Sequence, residues 1–274
     1  QRVFLGAASG HGLACSTHLS SFNHLDAAEE AAQYAKNAIN RGQLEEGVYD
    51  VILSPSVAAD LIQHVGDAAS AFAVESGISF LADKLNDVVA CELLTVIDHG
   101  VMDGSINTRI FDDEGVPTKD NVIIEKGVLK TYLHNSSTAK RFKTTTTSSA
   151  GIIDPHPWNL EVQPGSYSLE ELIKEVKDGL FITNNWYTRF QNLRTGDYST
   201  LPRDATFYIK DGEIKHSVAG LRVSDNLPRQ LKNIAATTKE RRWIYWWEVR
   251  IPTLAPYMLI RQLIKQTRLT KAVG

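Results

Sequence analysis

The sequence predicts an α+β fold: predominantly antiparallel β-sheet with flanking helices. Two hairpin turns and three capped helical patterns carry that prediction. Glu125-Lys126-Gly127 joins the apolar runs 122–124 and 128–133, and Asp211-Gly212 joins 206–210 to 213–215. A polar residue followed by glycine suits a two-residue hairpin turn, which needs φ > 0. Helices are expected near 26–39, 55–69 and 168–178, each opened by a residue whose side chain can accept a first-turn N–H.

In chain order, Val3-Phe4-Leu5 reads as a strand, 6–12 as a turn-rich break and 13–19 as a second extended piece. Asp26-Ala27-Ala28-Glu29 is a capping-box pattern that opens an Ala-rich helix, stopped near Gly42. A strand follows at 49–53. Ser54-Pro55 then supplies an N-cap and a first-position proline, and Leu61, Ile62, Val65, Ala68 and Ala69 recur at the spacing of one buried helix face. Residues 88–133 are β-rich, 136–142 form a short basic helix, and the hydroxyl-rich 144–149 reads as a mobile loop. Asp154-Pro155-His156-Pro157-Trp158 must be extended, because a residue before proline avoids the α region. Ser168-Leu169-Glu170-Glu171 is a further capping box, with Gly179 as the expected helix stop. A short helix at 228–234 and a strand at 253–260 close the pattern.

At 274 residues the chain is long enough to bury a full core. Its 43% hydrophobic and 22% charged residues place it among globular proteins, and a net charge of −3 gives no electrostatic case for nucleic acid. Cys15 and Cys91 cannot form a disulfide framework, so a reducing, cytoplasmic setting is expected. No apolar run is long enough for a membrane helix, so no membrane partner is expected.

Three groups of residues invite chemistry. Asp112, Asp113 and Glu114, closed by Gly115, could offer oxygen ligands to a hard cation. Neighbours on an extended chain point in opposite directions, however, so these acids are expected to bond the turn's own N–H groups in solvent. His11, Cys15, His18 and His24 are zinc-ligand types without a zinc spacing, and are expected on the surface of a strand pair. Trp243, Tyr245, Trp246 and Trp247, preceded by Arg241 and Arg242, have the composition of a protein interface. The basic positions Arg261, Lys265, Arg268 and Lys271 read as a solvated terminal helix face.

Phe-Asp-Asp-Glu-Gly-Val-Pro-Thr at 111–118, followed by the 122–133 hairpin, resembles the central signature of the TldD/TldE (PmbA) metallopeptidase family. The resemblance continues through Asp50-Val51-Ile52-Leu53-Ser54-Pro55, Leu93-Leu94-Thr95-Val96-Ile97-Asp98, Asn159-Leu160-Glu161-Val162-Gln163-Pro164-Gly165 and Leu231-Lys232-Asn233-Ile234, all in the family's order. It implies an upstream α/β domain. The chain is therefore expected to be a C-terminal portion or a natural short form. Residues 1–47 would be the end or remnant of the upstream domain, and 48–274 a TldD/PmbA-like C-terminal domain.

The resemblance also implies where catalytic residues should stand. The family's catalytic half carries His-Glu-x-x-x-His on the helix after the 51–53 strand, with a further Cys ligand late in the chain. Here Gln63 and His64 fall at the His-Glu positions and Ala68 at the second His, while 235–251 contains no Cys. Two imidazoles one helical turn apart and a neighbouring base are what a hydrolytic zinc needs. The resemblance thus implies the TldE (PmbA) type: no catalytic residue and no metal in this chain, and zinc in a TldD-like paralogue. The two would form a hetero-oligomer that encloses a chamber for unfolded peptide. Two alternatives stand beside it. One is a metallopeptidase with a displaced site drawn from His11, Cys15, His18, His24, His134 or His156. The other is a stand-alone peptide-binding module presenting sheet edges.

Overall fold

The computed structural model describes residues 1–45 and 47–263. A ten-stranded sheet forms the centre. Its long strand Thr253–Leu263 pairs antiparallel with Ile234–Ile244 and with Tyr49–Leu53, and in parallel with Leu160–Val162. From Tyr49–Leu53 the sheet continues through Asp178–Ile182 and Thr206–Lys210 to Glu213–Val218. From Leu160–Val162 it runs through Val96–Asp98 and Asn121–Glu125 to Val128–Leu129. A three-stranded sheet of Asn185–Asn192, Asp197–Pro202 and Val223–Asn226 lies apart from it, as does the pair Arg2–Leu5 and Ala8–His11. Only the 49–53/178–182 and 160–162/253–263 pairings are parallel among the named strands. The α+β reading with mostly antiparallel sheet is what the chain adopts.

Both hairpins form as their turn residues require. Lys126 and Gly127, like Asp211 and Gly212, all have positive φ, the geometry that matches the twist of paired strands. The helix Pro55–Ala68 starts at the expected cap: Ser54 Oγ accepts from Val57 N at 3.4 Å and donates to the Thr183 carbonyl at 2.6 Å. It is buried nearly all round rather than on one face. It packs against Thr253–Leu263 and Ile234–Ile244, and the burial of Val57, Leu61, Ile62 and Val65 contributes about 1.5–3 kcal/mol each. His64 and Asp67 are its positions that keep contact with water.

Five local expectations are corrected. The helix His24–Asn37 begins two residues before Asp26, with Asn23 at its cap, and the Asp26 capping box does not form. The Gly-rich stretch is largely strand: a Cβ on Gly10 or Gly12 would stand 2.1 Å from Ala31 O or 2.0 Å from Ala27 O, so these glycines let the strand lie on the helix backbone. The helix Leu169–Lys174, with the expected Ser168–Glu171 capping box, ends well before Gly179. Gly179 instead lies inside a strand, where a Cβ would meet Asp50 O at 2.4 Å. Thr147, Ser148 and Ser149 are buried, because the loop supplies the polar partners its surroundings lack: Thr147 Oγ1 accepts from His134 N, and Ser148 O from the indole of Trp158. Finally, Arg261 is in strand and ion-paired with Asp50 and Glu175; the remaining basic positions 265, 268 and 271 lie outside the described residues.

The Ala27, Ala31 and Ala35 stripe of the first helix is buried, and its Tyr34 packs edge-on against Phe181. Residues before 47 therefore share a core with the central sheet. No helix among the described residues is long and apolar enough to cross a membrane.

A charged cluster ties the strands 160–162 and 234–244 to the ends of 96–98 and 121–125. His99 Nε2 lies 2.7 Å from Glu161 Oε2 and Nδ1 2.9 Å from Asp120 Oδ1, and Glu161 also binds Arg241. Burial opposes the imidazolium, but the hydrogen bonds to Glu161 and Asp120 outweigh it and raise the His99 pKa. A raised folded-state pKa contributes stability that is present below the unfolded value and lost as pH rises through the folded one. The urea midpoint of the wild-type chain should therefore fall, relative to His99→Gln, as the pH rises above the ordinary histidine value of about 6.5. Parallel curves for the two proteins would show that the cluster does not stabilise through this charge.

Candidate functional site

The one water-facing stretch of the buried helix opens onto two adjoining recesses. The first, about 370 Å³, is bounded by Gln63, His64, Thr188, Trp247, Glu248 and Arg250. The second, about 490 Å³, continues past His64 and Arg250 to Ala68, Phe72, His156 and Leu193. All three positions that the resemblance sets against His-Glu-x-x-x-His, namely Gln63, His64 and Ala68, thus line one groove.

None of the three is placed for metal chemistry. Gln63 is buried, and its amide is used at both ends: Nε2 donates to Glu248 O at 2.6 Å and to Asp60 Oδ1 at 3.0 Å, while Oε1 accepts from Arg250 N at 2.8 Å. The His64 ring stands edge-on to Phe190, with centroids 4.8 Å apart, and lies 3.6 Å from Asp67. Ala68 has no ligating atom. The residues do not fit a zinc ion, which needs at least three protein ligands around an open position.

A buried polar network stands behind the groove. Asp60 Oδ2 accepts from Asn185 Nδ2 and Thr188 Oγ1, both at 2.5 Å. Glu248 Oε1 accepts from Thr188 N at 2.8 Å and lies 3.6 Å from Arg189. Burial raises the Asp60 pKa against the opposing effect of His64 and these donors. Burial likewise raises that of Glu248, and the neighbouring Asp60 adds to the shift. The network fixes the 246–250 segment to the helix and to the 185–192 strand. None of Asp60, Asn185, Thr188, Glu248 and Arg250 stands out in the sequence as a site residue. The one available signal was the dense polar and aromatic run Asn184-Asn185-Trp186-Tyr187-Thr188-Arg189.

The aromatic run is split. Trp246 and Trp247 meet Trp186 with ring centroids 5.8 and 5.2 Å apart, and Trp247 also meets Tyr187. Trp246 is half-buried on the core, whereas Trp247 is 52% exposed and Tyr245 is exposed. Trp243 faces elsewhere, lining a recess of about 380 Å³ with Cys15, Glu30 and Arg242.

The 111–117 turn is structural. Asp112 is buried: Oδ1 accepts from Glu114 N and Val116 N, at 3.0 and 2.9 Å, and Oδ2 from Ala150 N at 3.2 Å. Asp113 lies 3.6 Å from Arg109, and Glu114 accepts from Ser136 N and Oγ at the start of the helix Ser136–Phe142. Gly115 takes the positive φ of the turn. The expectation that all three acids stay in solvent fails at Asp112, whose three N–H donors offset its burial. Among the described residues no three His, Cys, Asp or Glu side chains converge as a metal set. His11 instead packs on Trp246 and His156 on Trp158.

Replacing Gln63 with Leu would leave the Glu248 carbonyl and the Arg250 N–H without partners in a buried place. We expect a loss of about 2–4 kcal/mol in urea unfolding. A loss under about 0.5 kcal/mol would show that the amide is dispensable.

Residues 46–265 match the PmbA/TldA metallopeptidase C-terminal domain. A metalloprotease of Methanocaldococcus jannaschii is 32% identical over 228 residues, spanning 80% of this chain and 49% of that protein. Metalloprotease PmbA of Escherichia coli O157:H7 is 31% identical over 184 residues, 67% of this chain and 39% of its own length. The chain spans about half the length of the curated relatives it matches. Among solved structures, one from Thermotoga maritima superimposes with a TM-score of 0.85 at 28% identity, over 93% of this chain and 58% of that one. TldE from Thermococcus kodakarensis shares the fold, with a TM-score of 0.83 at 23% identity over 96% of this chain and 60% of its own. The chain belongs to the PmbA/TldD metallopeptidase family, in the region that forms its C-terminal domain.

Proposed function

We propose that this chain is a non-catalytic, TldE/PmbA-like subunit of a cytoplasmic zinc metallopeptidase that degrades or processes unfolded peptides inside a closed chamber. The zinc and its His-Glu-x-x-x-His motif would reside in a TldD-like paralogue. Residues 1–47 would be the end or remnant of an upstream domain, packed on the 48–274 C-terminal domain. The observation that carries the proposal is Gln63. The position where the catalytic half has its first imidazole holds an amide whose donor and acceptor are both consumed by the 248–250 backbone. Without nitrogen ligands, nothing here lowers the pKa of a metal-bound water towards neutrality. The reading as an enzyme with a displaced metal site has no convergent ligand set among the described residues to stand on.

The aromatic surface supports the hetero-oligomer. Trp247 and Tyr187 leave large rings half in water against each other, with Arg189 and Arg203 over Tyr187, the composition of an interface centre. Trp246→Ala should lower the melting temperature, because that ring packs on the core. Trp247→Ala should leave the temperature nearly unchanged and weaken capture of the paralogue by about 2 kcal/mol. Unchanged capture by Trp247→Ala would remove the interface, and a source genome without the paralogue would remove the subunit reading as a whole.

The triple variant Gln63→His, His64→Glu, Ala68→His restores the helix motif without the late Cys. It should bind no stoichiometric zinc and cleave no unfolded polypeptide when purified alone. Zinc at one equivalent, or chelator-sensitive cleavage, would contradict this.

A further inference from the structure

The larger recess combines features that together point to one kind of ligand. Phe72 and Ile78, from one helix and the turn after it, and Leu193, from a distant loop, are 39%, 45% and 47% exposed where they line it. Side chains of this size converging in water mark a contact surface rather than a core. At the junction with the smaller recess stands Arg250. Its backbone N–H is held by Gln63, while its exposed guanidinium has no carboxylate within 4 Å among the described residues. Arg189 beside it lies 3.6 Å from Glu248 and donates to the Thr188 carbonyl, so Arg250 is the cation left to meet a ligand there. The groove's own part-exposed carboxylates are Asp67, which faces His64 at 3.6 Å, and Asp154. A run of acidic side chains would be repelled by both, whereas a single carboxylate at Arg250 would not need to approach them. A volume of about 490 Å³ suits one or two residues of extended chain rather than a folded surface.

We propose that this groove holds the C-terminal end of an unfolded polypeptide, with its terminal carboxylate on Arg250 and an apolar last side chain among Phe72, Ile78 and Leu193. The inference rests on the reading that the chain handles peptide, and it adds which end is held and what residue ends it. A guanidinium fork pairs with a carboxylate through two parallel N–H···O bonds, and the apolar wall beside it selects against a charged last residue.

The test uses the 274-residue chain and a fluorescent unstructured decapeptide ending in Leu with a free carboxylate. It is compared with the same peptide as its C-terminal amide, and with an amide whose last residue is Glu. By anisotropy, amidation should weaken binding about 10- to 100-fold, and the Glu amide should not recover it. Arg250→Gln should bind acid and amide alike at the weaker level, and Leu193→Ser should weaken the free acid. Both side chains are exposed, so both variants should keep the wild-type melting temperature. Equal binding of acid and amide, recovery by the Glu amide, an unaffected Arg250→Gln, or no peptide binding at all would each overturn the inference. Capture of the paralogue by the same preparation reports separately on the subunit reading.

Discussion

Most of this structure depends on a helix that has almost no outside. Pro55–Ala68 is enclosed by the long strand Thr253–Leu263, by Ile234–Ile244 and by the polar network of the 185–192 strand. A helix hydrophobic on one stripe can sit on a surface, but one buried all round fixes the position of everything it touches. Its polar residues must then be satisfied from outside the helix. Ser54 reaches Thr183, Asp60 reaches Asn185 and Thr188, and Gln63 reaches Glu248 and Arg250. Each bond ties the helix to a different part of the chain, and together they place the groove at the one stretch that water reaches.

The same constraint explains why Gln63 is a structural element. A buried polar side chain left unpaired is expensive, so a polar residue in such a position must find partners. Gln63 does so with an amide that donates twice and accepts once, one bond more than the single donor and single acceptor of a neutral imidazole allow. The result joins the helix to the 246–250 segment, and with it sets the orientation of Trp247 and Arg250. The aromatic surface and the groove are therefore two consequences of one packing arrangement.

The 111–117 turn shows a related economy. Its carboxylates organise loops from distant parts of the chain: Asp112 holds the 150 region, and Glu114 caps the helix at 136. Three N–H donors converge on a buried carboxylate, which is an architectural use of charge.

Local chemistry made much of this fold legible in the amino-acid sequence. The hairpins at Gly127 and Gly212, the Ser54-Pro55 start and the Ser168 capping box depend on contacts within a few residues, and they form as expected. The absence of ligating side chains at Gln63 and Ala68 is also written in the sequence alone. Failures came where a distant partner decided the outcome. Gly10 and Gly12 serve a helix that follows them, Gly179 serves a neighbouring strand, and the hydroxyl loop at 147–149 is buried because Asn121, His134 and Trp158 need its oxygen atoms. The candidate site belongs to this second kind. Asp60, Thr188, Glu248 and Arg250 lie up to 190 positions apart, and no periodicity or spacing links them. Only the enclosure of one helix by strands that follow it far along the chain brings them together, because burial and pairing are properties of the folded neighbourhood and not of the residue.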